Sequence, residues 1–140
     1  MEVRLATIED AEELYLLNEL FENNTTIEAI KQSLSENKHE IVCIAYIDGV
    51  GAGFCSGLII KSMCHSSPRV DIEALFVKEE YRKQGVGRAL LSCLEKEAVS
   101  QGVCHFHLNT SSTNTVAQAL YEKSGFMRTG EILYEKTISR

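Results

Sequence analysis

No apolar run in this 140-residue chain approaches the roughly 20 residues that a membrane-spanning helix needs. Nor does the start, Met1-Glu2-Val3-Arg4, carry the basic-then-apolar leader of a secretion signal. The sequence therefore predicts a cytoplasmic globular protein with no membrane partner. A C-x-x-C pair is also missing. The five cysteines (Cys43, Cys55, Cys64, Cys93 and Cys104) are odd in number and scattered, which reads as reduced thiols, most of them buried, with Cys64 in a loop. Basic residues are in deficit, 14 against 20 acids, so nucleic acid is not an expected partner. The deficit is uneven: residues 1–40 hold ten acids and three bases. An acidic segment of this kind is either plainly solvated or attracts a cationic ligand. Repeats, low-complexity tracts and linkers are absent, which leaves one domain over 1–140 with room for a core.

What is present alternates between two periods. Val3-Arg4-Leu5 reads as a first strand. Thr7, with Asp10 three residues on, opens a helix to about Phe21. Thr25 or Thr26 caps a second helix with Ile27, Ile30 and Leu34 on one face. The near-continuous apolar run His39–Ile47 predicts a strand buried on both faces. Asp48-Gly49 then turns the chain into a return strand over Val50–Ile60, whose Gly51, Gly53 and Gly57 imply bulges or close backbone approach. A loop containing the sole proline, Pro68, leads to a central strand ending Ile72–Val77. A helix from Val86, a strand over Cys104–Asn109, a helix stopped by Gly125, and two strands across Phe126–Ile138 complete the order. The predicted class is α/β (α+β), a mixed sheet with about four helices on its two faces.

The junction Arg82-Lys83-Gln84-Gly85-Val86-Gly87-Arg88 breaks a local rule. A helix start carries unpaired N–H groups and partial positive charge, which attract acids. Here cations crowd it instead. Either these bases are simply solvated, with Glu79 and Glu80 as partners, or an anion such as a phosphate is held there. The dinucleotide fingerprint is excluded because Leu90 stands where its third glycine would fall, and the P-loop because Gly-Lys-Ser/Thr is lacking.

The pattern that fits is Arg-x-x-Gly-x-Gly at Arg82, Gly85 and Gly87, with Ile72–Val77 and Tyr81 upstream. Downstream stands Asn114-x-x-Ala117-x-x-x-Tyr121-x-x-x-Gly125-Phe126. These two blocks, in this order, resemble the GCN5-related N-acetyltransferase (GNAT) family. The resemblance spans nearly the whole chain and implies a GNAT-like acyl-CoA N-acyltransferase fold. It also implies acetyl transfer from acetyl-coenzyme A to an amine. Arg82, Lys83, Gln84, Gly85, Val86, Gly87 and Arg88 would then take the pyrophosphate. Leu75, Phe76 and Val77 would pair with the pantetheine arm, and Asn114 would complete the cofactor contacts. A backbone N–H near Leu75 or Phe76 would stabilise the oxyanion.

An amine of pKa near 10.4 must lose a proton before it attacks. Glu73 is the expected base, acting through burial or a water relay, and Asp71 the alternative base or a second substrate-holding acid. Tyr121 is the expected acid for the leaving thiolate; it also fits a helix core. No metal is expected: His105 and His107 lack a third ligand and read as packing or solvent contacts. The expected acceptor is a small, cationic amine, a polyamine or aminoglycoside. Glu73–Val77 and Leu133–Lys136 are locally similar to aminoglycoside 6′-acetyltransferases within that family. The alternatives are a protein N-terminus or lysine, a longer acyl donor, or a non-catalytic module that senses acetyl-coenzyme A. The resemblance also allows a homodimer, since many relatives are dimers.

Overall fold

The computed structural model describes residues 1–139, which divide into two compact units, Met1–Asn109 and the residues from Thr110 onward. The first unit is a five-stranded sheet in the order β1-β2-β3-β4-β5, formed by Glu2–Leu5, Glu40–Ile47, Val50–Ile60, Arg69–Val77 and Phe106–Leu108. The first four strands are antiparallel neighbours; β5 joins β4 in parallel. Helices α1 (Ala11–Phe21) and α2 (Ile27–Glu36) lie between β1 and β2, and α3 (Val86–Ser100) is the crossover from β4 to β5. Among the described residues, no helix is long and apolar enough to cross a membrane.

Strand alternation divides the core between the two faces of the sheet. Ile44 and Phe54 meet Leu14 and Leu17 of α1, with Ile30 and Leu34 of α2 beside them. On the opposite face, Leu90 and Leu94 of α3 are fully buried over Gly53 and Gly57 of β3. A Cβ at Gly53 would lie 2.5 Å from the Phe76 carbonyl oxygen, and one at Gly57 would lie 2.7 Å from Val70 Cγ1. The glycines expected to permit close approach do so because β4 lies against them, with Leu90 and Leu94 of α3 next at 3.3 and 3.1 Å, and leaves no room for a methyl group.

One polar network ties the entry of α1 to the sheet. Arg4 of β1 grips both oxygens of the buried Asp10, at 2.7 and 2.9 Å. The Tyr46 hydroxyl donates to the same carboxylate at 2.6 Å, and the Thr7 N–H at 2.8 Å. The Arg4 guanidinium, with the Thr7 and Tyr46 bonds, holds the Asp10 carboxyl well below the usual carboxylate range, against the opposing effect of burial. A carboxyl whose folded pKa is depressed stabilises the fold above its unfolded pKa of about 3.9 and loses that contribution as pH falls further. Asp10→Asn is expected to cost about 2 kcal/mol at neutral pH, less than a fully buried pair because Arg4 is 39% exposed. Urea melts across the acid range would show the variant losing part of the wild-type pH dependence below about pH 4.

The structure corrects the reading of the chain's end. Among the described residues no strand forms after residue 123: α4 (Thr115–Lys123) of the second unit is followed by irregular chain through residue 139. Alternating side chains mark a preference for extended backbone, but a strand also needs a neighbour to take its N–H and C=O groups. Among the described residues no ladder reaches this segment, and Met127, Ile132, Leu133, Tyr134 and Ile138 remain exposed. β5 is likewise shorter than expected, three residues, because only Phe106–Leu108 find partners on β4.

Candidate active site

Glu73 is positioned by an irregularity in β4. Ser56 pairs with Ala74 and the next residue, Gly57, pairs with Ile72, so Glu73 is an extra residue with no partner on β3. A bulge of this kind re-aims a side chain out of the ordinary alternation. Here it brings Glu73, together with Ala74, to the wall of a cavity of about 370 Å³ under α1 and α2. Phe21 and Phe54 form an apolar side of that cavity; their rings lie 6.0 Å apart, edge to face, and Phe76 packs 5.9 Å from Phe21. Glu22 and Glu40 also line it, and no lysine, arginine or histidine does.

Asp71, the alternative acid, has a different setting. Arg69 donates to it at 2.8 and 3.4 Å, and His107 Nδ1 stands 4.0 Å away. Its charge is already matched by the neighbouring guanidinium. His105 and His107 lie exposed side by side with their Nε2 atoms 3.0 Å apart. Among the described residues no group of three metal-ligating side chains occurs.

The ladder between β4 and β5 is short. β5 pairs with β4 only at Val70, Asp71 and Ile72. Beyond Ile72, at Leu75, Phe76 and Val77, the ladder on that side has ended, while pairing with β3 continues through Val77. An arm of amides could enter there as an added pseudo-strand.

Past Val77 the chain makes a short turn, Glu79–Tyr81, and reaches α3 through two left-handed residues, Lys83 (φ +64°) and Gly85 (φ +82°). Gly85 is the N-cap residue, and its positive φ is why glycine is needed. No side chain caps this helix and its first turn has no acid, so the leading N–H groups face outward without a built-in acceptor. The buried Val86 anchors the turn to the core, and Arg82 Nε donates to the Val77 carbonyl at 2.9 Å, fastening the loop to the end of β4. Gln84 Nε2 donates to the Glu80 carbonyl at 3.3 Å. Lys83 and Arg88 stand exposed on either side. Uncapped amides, a positive dipole end and flanking cations together fit a diphosphate.

In the second unit Asn114 caps α4: its Oδ1 accepts the Ala117 N–H at 3.1 Å, which leaves the amide nitrogen to donate elsewhere. Tyr121 is half-buried on α4, its ring edge-to-face with Phe126 at 5.9 Å.

Sequence reasoning did not single out Glu40, Ser33, Ser56 or Glu22 as site residues. Ser33, Glu40 and Ser56 sit in elements whose apolar pattern was legible and Glu22 follows directly on α1, but their convergence on one cavity depends on how α1 and α2 dock against β2 and β3. The sole signal available was the surplus of acids before residue 41, to which Glu22 and Glu40 belong.

Residues 6–126 match the model of the acetyltransferase (GNAT) family. Aminoglycoside N(6′)-acetyltransferase type 1 of Salmonella typhimurium is 28% identical over 106 residues, 74% of this chain and 73% of that protein. Among solved structures, AAC(6′)-Iy in complex with a CoA-S-monomethyl-acetylneamine bisubstrate analogue superposes with a TM-score of 0.86 at 24% identity, covering 99% of this chain and 98% of the other. A ribosomal-protein-alanine N-acetyltransferase from Brucella melitensis gives 0.80 at 16% identity, covering 98% and 100%. At these identities the structural matches establish the fold.

Proposed function

The chain belongs to the acetyltransferase (GNAT) family and is an acetyl-coenzyme A-dependent N-acetyltransferase, and from that premise we propose that its acceptor is a small amine bearing more than one positive charge. The observation that carries this reading is the cavity beside β4, where three carboxylates meet and no basic side chain answers them. A cationic guest with an apolar skeleton matches both the charge and the Phe21–Phe54 wall. The aminoglycoside acetyltransferase at 28% identity supports the same class.

Acetyl-coenzyme A supplies an activated acetyl thioester. Within this reading the N–H groups of the first turn of α3 hold its diphosphate, with Lys83 and Arg88 at the flanks and Arg82, Gln84 and Gly85 shaping the turn. The open edge of β4 at Leu75–Val77 receives its amide arm, and Asn114 donates its amide nitrogen. Glu73 takes a proton from the acceptor's ammonium, directly or through one water, and frees the nitrogen lone pair that attacks the thioester. Its support is that it lines the cavity with no ion pair among the described residues, whereas Asp71 is held by Arg69. Tyr121 returns a proton to the departing thiolate; a phenol of pKa near 10 can protonate a thiolate of a thiol near 8.5. Tyr121→Phe should lower kcat about tenfold while leaving the acceptor KM near wild type. Equal kcat in the variant would remove Tyr121 from this role.

The five cysteines are free, which fits a reducing compartment, and the proposal places the reaction in the cytoplasm. The two units would act together as one acetyltransferase domain, since the family match runs through both. The homodimer allowed by the resemblance carries over unchanged. Thiol release from acetyl-coenzyme A, followed across spermidine, neamine, a monoamine and a peptide with a free N-terminus, tests the acceptor class. The polycations should exceed the peptide by about tenfold or more in kcat/KM. A peptide preference would favour a protein acceptor, and tight acetyl-coenzyme A binding with no turnover on any amine would favour a sensor.

A further inference from the structure

We propose that Glu40 holds the second ammonium of the acceptor and so makes the enzyme prefer diamines over monoamines of the same length. The inference rests on the N-acetyltransferase reading above and adds a specificity-determining residue to it. Glu40 opens β2 and lines the same cavity as Glu73. Its two oxygens are held by two hydroxyls from different elements: Ser33 Oγ of α2 donates to Oε1, and Ser56 Oγ of β3 donates to Oε2 at 2.7 Å. Ser56 is 8% exposed, so this support is built into the core. The two serines fix where the carboxylate points but do not neutralise it. An ionised carboxylate has about four acceptor positions, so lone pairs are left over. No salt bridge reaches Glu40 among the described residues, and none of the cavity's lining residues is basic. A half-buried carboxylate oriented by neutral donors beside aromatic rings is a poor arrangement for the empty protein and a good one for a cationic guest.

The spacing defines the class of guest. Ser56, which holds Glu40 on one side, pairs across the ladder with Ala74, the residue after Glu73. In the ladder Glu40 pairs with Leu58 and Leu58 with Asp71, so Glu40 and Glu73 are separated by two strand spacings and two residues along β4, on the order of 12 Å between backbones. An acceptor with its reacting nitrogen at Glu73 and a second ammonium several methylenes away would meet both carboxylates and lay its apolar linker along Phe54.

Cadaverine and n-pentylamine differ by the second ammonium alone and are the probes. Wild type should favour cadaverine in kcat/KM, and Glu40→Gln should reduce the cadaverine-to-pentylamine ratio about tenfold, mostly through KM. A purely structural role would lower both substrates by one factor and leave the ratio intact, which would overturn the proposal. Ser33→Ala, which loosens the carboxylate without removing its charge, should lower the ratio by less. Calorimetric binding of cadaverine separates the two layers of inference. Binding that weakens in Glu40→Gln without any acetyl transfer would keep the subsite and remove the N-acetyltransferase reading. Transfer to amines with cadaverine binding unmoved by Glu40→Gln would do the reverse.

Discussion

Glu73→Gln should reduce kcat/KM for the amine about 100-fold near neutral pH, the lower end of what a positioned general base contributes. The expectation follows from the bulge in β4. Were the ladder regular, Glu73 would have a partner on β3; as the extra residue it reaches the cavity with its carboxylate in no ion pair among the described residues. Glutamine keeps the size and the hydrogen-bonding reach and removes only the capacity to accept the proton. An amine of pKa 10.4 is unprotonated in about one molecule in a thousand near pH 7.4. Without the base, turnover draws on that fraction alone. The variant's rate should therefore climb about tenfold per pH unit toward the amine's own pKa, and the deficit relative to wild type should shrink as it climbs. The KM for acetyl-coenzyme A should stay put, because Glu73 lines a cavity to which no residue of the α3 turn contributes. A variant with wild-type kcat/KM at neutral pH would return the proton transfer to water or to Asp71.

Gly85→Asp is the second large effect, and it falls on the other substrate. Two contributions act together. The φ of +82° at Gly85 costs an L side chain about 1–2 kcal/mol, though aspartate is among the residues that tolerate it best. The new carboxylate also stands at an uncapped helix start whose first turn holds no acid, where it attracts the same N–H groups and cations as a diphosphate would. The affinity for coenzyme A should fall about 30-fold, close to the loss of one hydrogen bond to a charged group. Calorimetry with coenzyme A reads this directly. The melting temperature should change little, since the strain is offset by the charge-dipole attraction. Unchanged affinity in a folded Gly85→Asp protein would mean that the anion is held elsewhere.

How far the sequence led differs from one part of the chain to the next. The strand–turn–helix at Ile72–Ser100 was legible because period, glycine placement and charge all changed at one junction, and the structure puts the N-cap at Gly85. The hairpin at Asp48-Gly49 and the close approach at Gly53 and Gly57 were legible for the same reason: each is a local backbone requirement. Two kinds of feature were not. The bulge at Glu73 comes from the register between β3 and β4, which no single segment encodes, and the Ser33–Glu40–Ser56 cluster comes from three elements meeting. The terminal strands were over-read in the opposite sense. Ile132–Ile138 carries strand-like composition, yet pairing depends on a neighbour, and the described chain supplies none.

Backbone amide shifts recorded while coenzyme A is added test the central claim most directly. If the turn before α3 grips the diphosphate, the amides of Val86, Gly87 and Arg88 should move most, with smaller changes at Leu75–Val77, and Gly85→Asp should move the midpoint of these changes to about 30-fold higher coenzyme A. Saturable binding that leaves those three amides unmoved while perturbing another face of the sheet would contradict it.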